Sequence, residues 1–184
     1  MRVIAGSARR LLLEAPRGTD TRPTQDIIKE TLFNMLNPLL YDCSFLDLFA
    51  GSGSIGIEAL SRGAREACFS DYSKEAVRCI RNNLEHTHFT DKGHVYAMDF
   101  TAALRQMEFD GKHFDVVYLD PPYGKGLEQQ ALSLLSASRL TDGDTLFVVE
   151  TALETDPAEY EKLGFSISRD KTYKTNRHVF LKKV

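Results

Sequence analysis

Residues 45-56 read Phe45-Leu46-Asp47-Leu48-Phe49-Ala50-Gly51-Ser52-Gly53-Ser54-Ile55-Gly56, a short apolar run that ends on an acid and turns through glycines into a helical stretch. Gly51 and Gly53 remove side chains so that a ligand can press against the backbone, and Gly56 lets the helix approach the strand closely. Outward from this unit, apolar runs alternate with helical stretches: strand 45-48, helix 54-62, strand 66-70, helix 74-86, strand 94-97, helix 100-107, strand 114-119, helix 126-137, strand 145-149. Such alternation requires crossover connections and therefore an α/β fold with a mostly parallel sheet. The tail departs from it. Phe165 to Arg169 and Lys174 to Leu181 are strand-like with no helix between them, which predicts an antiparallel pair at or near a sheet edge.

Ahead of this core, residues 2-22 read as a short hairpin or basic arm, with Pro16 and Gly18 marking a loop. Thr24 is a good helix N-cap, and Ile27, Ile28, Thr31, Leu32, Met35 and Leu36 recur at helical spacing until Asn37-Pro38 is expected to stop the run. The 184 residues, 42% hydrophobic, suit one domain, 1-184, rather than two. Cys43, Cys68 and Cys79 form no C-x-x-C pair and do not meet histidines at zinc-ligand spacing, so a reduced, cytosolic chain without metal is expected. No apolar run has signal-peptide length or approaches the roughly 20 residues that span a bilayer, so no membrane partner is expected.

The net charge of -3 disfavours nucleic acid when taken alone, because phosphate binding rests on Lys and Arg. Its distribution points the other way. Residues 1-22 carry +3, residues 169-184 carry +5, and the middle carries -11. Solvated termini would give the same asymmetry.

Four acids stand at the C-terminal ends of four expected strands: Asp47, Asp71, Asp99 and Asp120. Ligands of open parallel sheets bind outside those ends, although an Asp there can instead N-cap the next helix. The glycine loop with Asp71 twenty residues after Gly51 also fits a dinucleotide fingerprint. Asp71 suits a ribose in either case. Asp47 separates the two, since a carboxylate gives a pyrophosphate nothing but favours the ammonium group of S-adenosylmethionine.

Asp120-Pro121-Pro122-Tyr123 closes a continuous apolar strand, and its two prolines fix the backbone. An exocyclic base amine is a poor nucleophile because its lone pair is delocalised into the ring. Hydrogen bonds from that amine to the Asp120 carboxylate and to a backbone carbonyl, that of Pro121, would draw the lone pair out and aim it at a methyl group. Tyr123 offers an aromatic face for an extruded base. A plain strand-to-helix turn is the bland alternative.

These motifs, together with Arg2-Val3-Ile4-Ala5-Gly6 and the segment Thr21-Arg22-Pro23-Thr24 followed by Lys29-Glu30-Thr31-Leu32-Phe33-Asn34-Met35-Leu36, resemble the RsmD-type methyltransferases that make N2-methylguanine in small-subunit ribosomal RNA. The resemblance implies a Rossmann-like, seven-stranded methyltransferase sheet with an antiparallel final strand. It also implies an RNA-binding extension over 1-40 on a catalytic core over 41-184, and S-adenosyl-L-methionine as cofactor. It implies that Asp47, Ala50, Gly51, Gly53, Asp71, Tyr72, Asp99 and Phe100 hold the cofactor, Asp71 by the ribose and Asp99 with Phe100 by the adenine. Arg2, Arg10, Arg22, Thr24 and Lys29 would touch ribosomal RNA, free or within an assembled small subunit, and the enzyme would be a monomer. The chain departs from the family pattern at Lys29, where arginine is usual, at Asp71, where glutamate is usual, and at Ser52, where threonine is common.

Rival readings are a DNA adenine or cytosine amino-methyltransferase, a nicotinamide-dependent oxidoreductase and a non-catalytic RNA-binding scaffold. The first lacks a segment for target recognition, the second lacks a catalytic domain, and the third leaves the four acids unexplained. Among smaller signals, His178 beside Arg177 reads as an RNA contact or as plain surface, and Tyr72 as an adenine contact or as plain surface.

Overall fold

The computed structural model describes residues 1–17 and 23–184, without the side chains of residues 23–25. Its sheet contains β1 (Ser44–Asp47), β2 (Glu66–Ser70), β3 (Gly93–Tyr96), β4 (Val116–Leu119), β5 (Leu146–Thr151), β6 (Phe165–Thr172) and β7 (Arg177–Lys183) in the order β3-β2-β1-β4-β5-β7-β6. The first five run parallel, and β7 lies antiparallel between β5 and the edge strand β6. The expected antiparallel tail is therefore present, with its last strand inserted beside β5. Helices α1 (Pro23–Leu40), α2 (Ser54–Ser61), α3 (Lys74–His86), α4 (Phe100–Phe109), α5 (Leu127–Ala137) and the short α6 (Ala158–Glu161) complete the chain.

Side-chain alternation along the strands divides the core into two layers. Phe45, Phe69, Val116, Tyr118 and Val148 face one side and pack with Leu32, Phe33, Leu36 and Leu40 of α1 and with Ile57, Leu60 and Ile80 of α2 and α3. Leu46, Cys68, Val117, Leu119, Phe147 and Val149 face the other, against Leu104 and Met107 of α4 and Leu132 and Leu135 of α5. Each fully buried Leu or Phe contributes roughly 1.5–3 kcal/mol relative to exposure. Gly56 makes the packing of α2 on β2 possible, because a Cβ there would lie 2.3 Å from Phe69 Cε1.

The leading helix differs from expectation at both ends. It starts at Pro23, so Thr24 lies inside it and not at its cap, and it runs through Pro38 to Leu40. Proline at the first helical position costs no hydrogen bond. The bond lost at Pro38 is offset by burial of Leu36 and Leu40 on one face, while Ile27 is exposed.

The N-terminal arm forms a narrow antiparallel loop, with Arg2 bridged to Leu12 and the Val3 N–H donating to the Leu11 carbonyl at 3.0 Å. Its anchor is Glu58, a fully buried carboxylate that accepts from the backbone N–H groups of Ile4 at 2.8 Å and Ala5 at 3.0 Å. Arg62 and Lys29 neutralise it, at 2.8 and 3.5 Å. Lys29 is thus no outward RNA contact. It is 6% exposed and donates to the Arg2 carbonyl at 2.6 Å, because the arm covers it. Further along, Asn83 of α3 accepts from the Glu14 N–H and donates to the Ser52 carbonyl, tying the arm to the glycine loop.

Among the described residues, no helix is long and apolar enough to cross a membrane. The three cysteines are free and buried, so they form no disulfide.

Candidate functional site

The strand order reverses between β1 and β4, and open sheets of this kind receive ligands in the crevice at that point. A cavity of about 670 Å³ lies there, within the span of roughly 300–1,000 Å³ typical of small-molecule sites. Its floor is the glycine loop. Gly51 (φ 55°) and Gly53 (φ 76°) take left-handed conformations that suit glycine, and no atom lies within 4 Å of where a Gly51 Cβ would stand. Backbone is therefore laid open to the cavity at Gly51.

Asp71, one residue beyond β2, lines the cavity and braces the loop, since its Oδ2 accepts from the Gly51 N–H at 3.0 Å and its Oδ1 from the Ser73 N–H at 2.8 Å. Asp99 also lines it while capping α4: Oδ1 accepts from the Thr101 and Ala102 N–H groups and the Thr101 hydroxyl. Those hydrogen bonds, that of the Thr101 hydroxyl foremost, hold the Asp99 carboxyl below its ordinary range. Capping and cavity lining thus coexist in this residue. Phe100 stands 5.1 Å from Phe49, ring centre to ring centre, and with Met98 the pair forms an apolar wall; Tyr72 sits at the mouth, 80% exposed.

Asp47, Ala50 and Gly53 do not figure among the described residues that line the cavity. Asp47 is buried at the end of β1, under the loop, where its Oδ2 accepts from the Gly56 N–H at 3.0 Å. Burial pushes its pKa up to about 7, against the Gly56 hydrogen bond and with help from Asp71. The Ala50 N–H donates to the Ser70 carbonyl, and Gly53 caps α2, so both shape the loop.

Asp120, Pro121, Pro122 and Tyr123 follow β4, the neighbour of β1, and line the same cavity. Asp120 is exposed toward the cavity, with protein packed around the rest of its carboxylate. Its pKa is pushed well above the carboxylate range by burial first, then by the charges of Glu150 and Asp47. Tyr123 donates its hydroxyl to Glu150 Oε1 at 3.1 Å.

The sequence reading passes over Glu150 and gives Phe49 no role, and it takes His178 as an RNA contact or plain surface. Glu150 had a legible signal, since it follows directly on the expected strand 145-149 as the other acids follow theirs. His178 is not surface: it is fully buried in β7, with Nε2 3.0 Å from Glu150 Oε2, because the inserted final strand faces β5.

The expected RNA contacts are scattered. Arg22 and the side chain of Thr24 lie outside the described residues. Arg2 is exposed and paired with Asp26 at 3.1 Å. Arg9 and Arg10 are exposed on a turn held by Ser61, whose carbonyl accepts from the Ser7 N–H at 2.8 Å at the end of α2 away from the glycine loop. Arg177 is engaged by Asp170 at 2.9 Å. Among the described residues, no cluster of His, Cys, Asp or Glu could hold a metal.

The family model described as Conserved hypothetical protein 95 matches residues 1–182. A Haemophilus influenzae protein named Ribosomal RNA small subunit methyltransferase D is 36% identical over 173 residues, 94% of this chain and 88% of that one. The Escherichia coli K12 protein of the same name is 34% identical over 84% of this chain and 76% of its own. A solved Escherichia coli structure named "Putative methyltransferase yhhF" superposes with a TM-score of 0.83 at 32% identity, covering all of this chain and 97% of that one. With the glycine loop and the Asp120 loop facing one cavity on a methyltransferase fold, the chain belongs to the Conserved hypothetical protein 95 family, the RsmD family of methyltransferases.

Proposed function

We propose that this chain is a cytosolic, monomeric enzyme that uses S-adenosylmethionine to methylate the N2 amine of a guanine in small-subunit ribosomal RNA. The observation that carries the reading is that the Asp120–Tyr123 loop and the Gly51/Asp71/Phe100 wall border one cavity, so a methyl donor and a base amine can meet there. The names of the two relatives, both methyltransferases of small-subunit ribosomal RNA, supply the substrate class.

The residues present fit the donor. Open backbone at Gly51 leaves room for an extended ligand, and Asp71 keeps acceptor capacity beyond its two backbone bonds for ribose hydroxyls. Phe49 and Phe100 offer flat apolar surface to an adenine, with Asp99 Oδ2 free to accept from its amine. Asp47 acts from beneath, as the carboxylate that holds the turn into α2.

When bound, the donor supplies a methyl group on a positively charged sulfur. Asp120 accepts one N–H of the target amine and the Pro121 carbonyl the other, which localises the nitrogen lone pair. On gaining the methyl group the amine would become acidic, and Asp120 would take its proton. Tyr123 stacks on the extruded base and keeps water from that face. The site supplies positioning and a proton acceptor, and no covalent enzyme intermediate is needed.

The test is incubation with labelled methyl donor and naked small-subunit ribosomal RNA, assembled small subunits or DNA, followed by nucleoside analysis. Label in N2-methylguanosine supports the reading. Label confined to DNA, or to another base, overturns it.

A further inference from the structure

Glu150, near the end of β5, is surrounded by donors. Its Oε2 accepts from the Tyr118 hydroxyl at 2.6 Å and lies 3.0 Å from His178 Nε2, and its Oε1 accepts from the Tyr123 hydroxyl at 3.1 Å and from Asn176 Nδ2 at 2.5 Å. These partners come from β4, β7, the catalytic loop and the turn between β6 and β7. Tyr118, Asn176 and His178 are buried, whereas Tyr123 is 45% exposed and forms part of the cavity wall. Burying an ionised carboxylate is costly unless it is fully hydrogen-bonded, and the preceding positions on the same face of these strands, Val116 and Val148, are filled with apolar side chains. A charge retained here, one side chain away from the cavity, calls for a use.

We propose that Glu150 is a positioning residue of this site: its fixed carboxylate anchors the Tyr123 ring at the cavity wall and holds a negative charge beside Asp120, so that Asp120 is the member of the pair that takes up a proton. The inference rests on the reading of Asp120 as proton acceptor. Two neighbouring carboxylates repel each other's ionisation, and donors aimed at one of them decide which keeps the charge. All four donors point at Glu150. Burial would raise Glu150, but the His178 contact and the Tyr118 and Asn176 hydrogen bonds hold it below its usual range, while Asp120 is driven upward. The groups facing Asp120 are Glu150, Asp47 and the phenols of Tyr118 and Tyr123, with Lys125 as the cation on the cavity wall. Those facing Glu150 are Tyr118, Tyr123, Tyr173, His178 and Asp120. The same network joins the turn bearing Lys174 to the catalytic loop through Asn176.

Glu150→Gln keeps the shape and removes the charge. Carbon-13 NMR of aspartate-labelled protein, without RNA or donor and with the Asp120 signal assigned through Asp120→Asn, is expected to show the Asp120 midpoint falling by about one unit or more. The kcat should drop roughly 10-fold or more, its acid limb should move to lower pH, and KM for the methyl donor should stay as in the wild type. Tyr123→Phe, which removes a single hydroxyl at the cavity edge, should lower kcat several-fold and leave the Asp120 midpoint nearly in place, and the double variant should be no worse than Glu150→Gln. An unmoved Asp120 midpoint in folded Glu150→Gln, or additive losses in the double variant, overturns the proposal. If Glu150→Gln fails to fold by circular dichroism, wild-type kcat in Tyr123→Phe overturns it instead. Because the NMR measurement uses no substrate, a shifted midpoint in an enzyme that methylates no RNA supports the carboxylate pairing and refutes only the substrate assignment.

Discussion

Asp71 Oδ2 accepts the Gly51 N–H at 3.0 Å, so the acid after β2 holds in place the loop after β1. The proposed cofactor contact and the shape of the loop are therefore joined in one side chain.

Asp71→Ala is expected to weaken S-adenosylmethionine binding by roughly 1.5–3 kcal/mol, the usual worth of hydrogen bonds to a charged group, and to loosen the loop as well. Calorimetric titration without RNA measures it. Unchanged affinity would remove Asp71 from the donor site, and tight NADH binding in the wild type would favour a dinucleotide enzyme.

Asp120→Ala should reduce single-turnover rates by about 100-fold or more while leaving donor affinity near that of the wild type. In the wild type the rate should rise with pH through the raised Asp120 pKa, because only the ionised carboxylate can take the amine proton. A flat pH–rate profile would contradict this role.

Asp47 carries a signed prediction for stability. Its folded pKa, about 7, lies above the ordinary value of 3.8, so the folded state binds the proton more tightly than the unfolded state does. Stability from this group is complete below about pH 4 and declines as pH rises toward 7, at most by about 1.4 kcal/mol per pH unit. Asp120, also raised, adds a decline of the same sign. Asp47→Asn should flatten the fall in urea-unfolding free energy across that window in the cofactor-free protein. A wild-type slope retained by the variant would show that Asp47 is ionised throughout.

Lys29→Met separates a structural lysine from an RNA contact. Loss of the buried cation leaves Glu58 its backbone donors and Arg62 as counter-charge, so destabilisation of about 1–3 kcal/mol is expected in denaturant melts. The salt dependence of RNA binding should not change. Replacing Lys171 and Lys174, two of the cations of the basic segment 169-184, together by Glu should instead flatten log affinity against log salt by roughly 0.7 to 0.9 per lost phosphate contact, as expected if that segment grips RNA. The opposite pattern would return Lys29 to the RNA surface.

Much of the scaffold was readable along the chain because its signals are local. Alternating apolar runs and helical periods marked the parallel sheet, and the glycines and strand-end acids marked the crevice. Boundaries shifted where tertiary burial outweighed a local stop, as at Pro38, which α1 passes so that Leu40 can reach the core. Glu150 obeyed the same strand-end rule as the four acids singled out, yet its partners are 26 to 32 residues distant, as with Asn176, His178 and Tyr118.

The sequence by itself determined the α/β class, the two motifs and their membership in one crevice, because those follow from short-range pattern and from where strands end in a parallel sheet. Only the tertiary structure decided that Lys29 and His178 are buried, that Asp47 lies beneath the glycine loop, and that Glu150 stands between Tyr123 and β7. Burial and the pairing of charges depend on which segments fold over a residue. The arm that covers Lys29 and the final strand that encloses His178 come from opposite ends of the chain, beyond the reach of any local pattern.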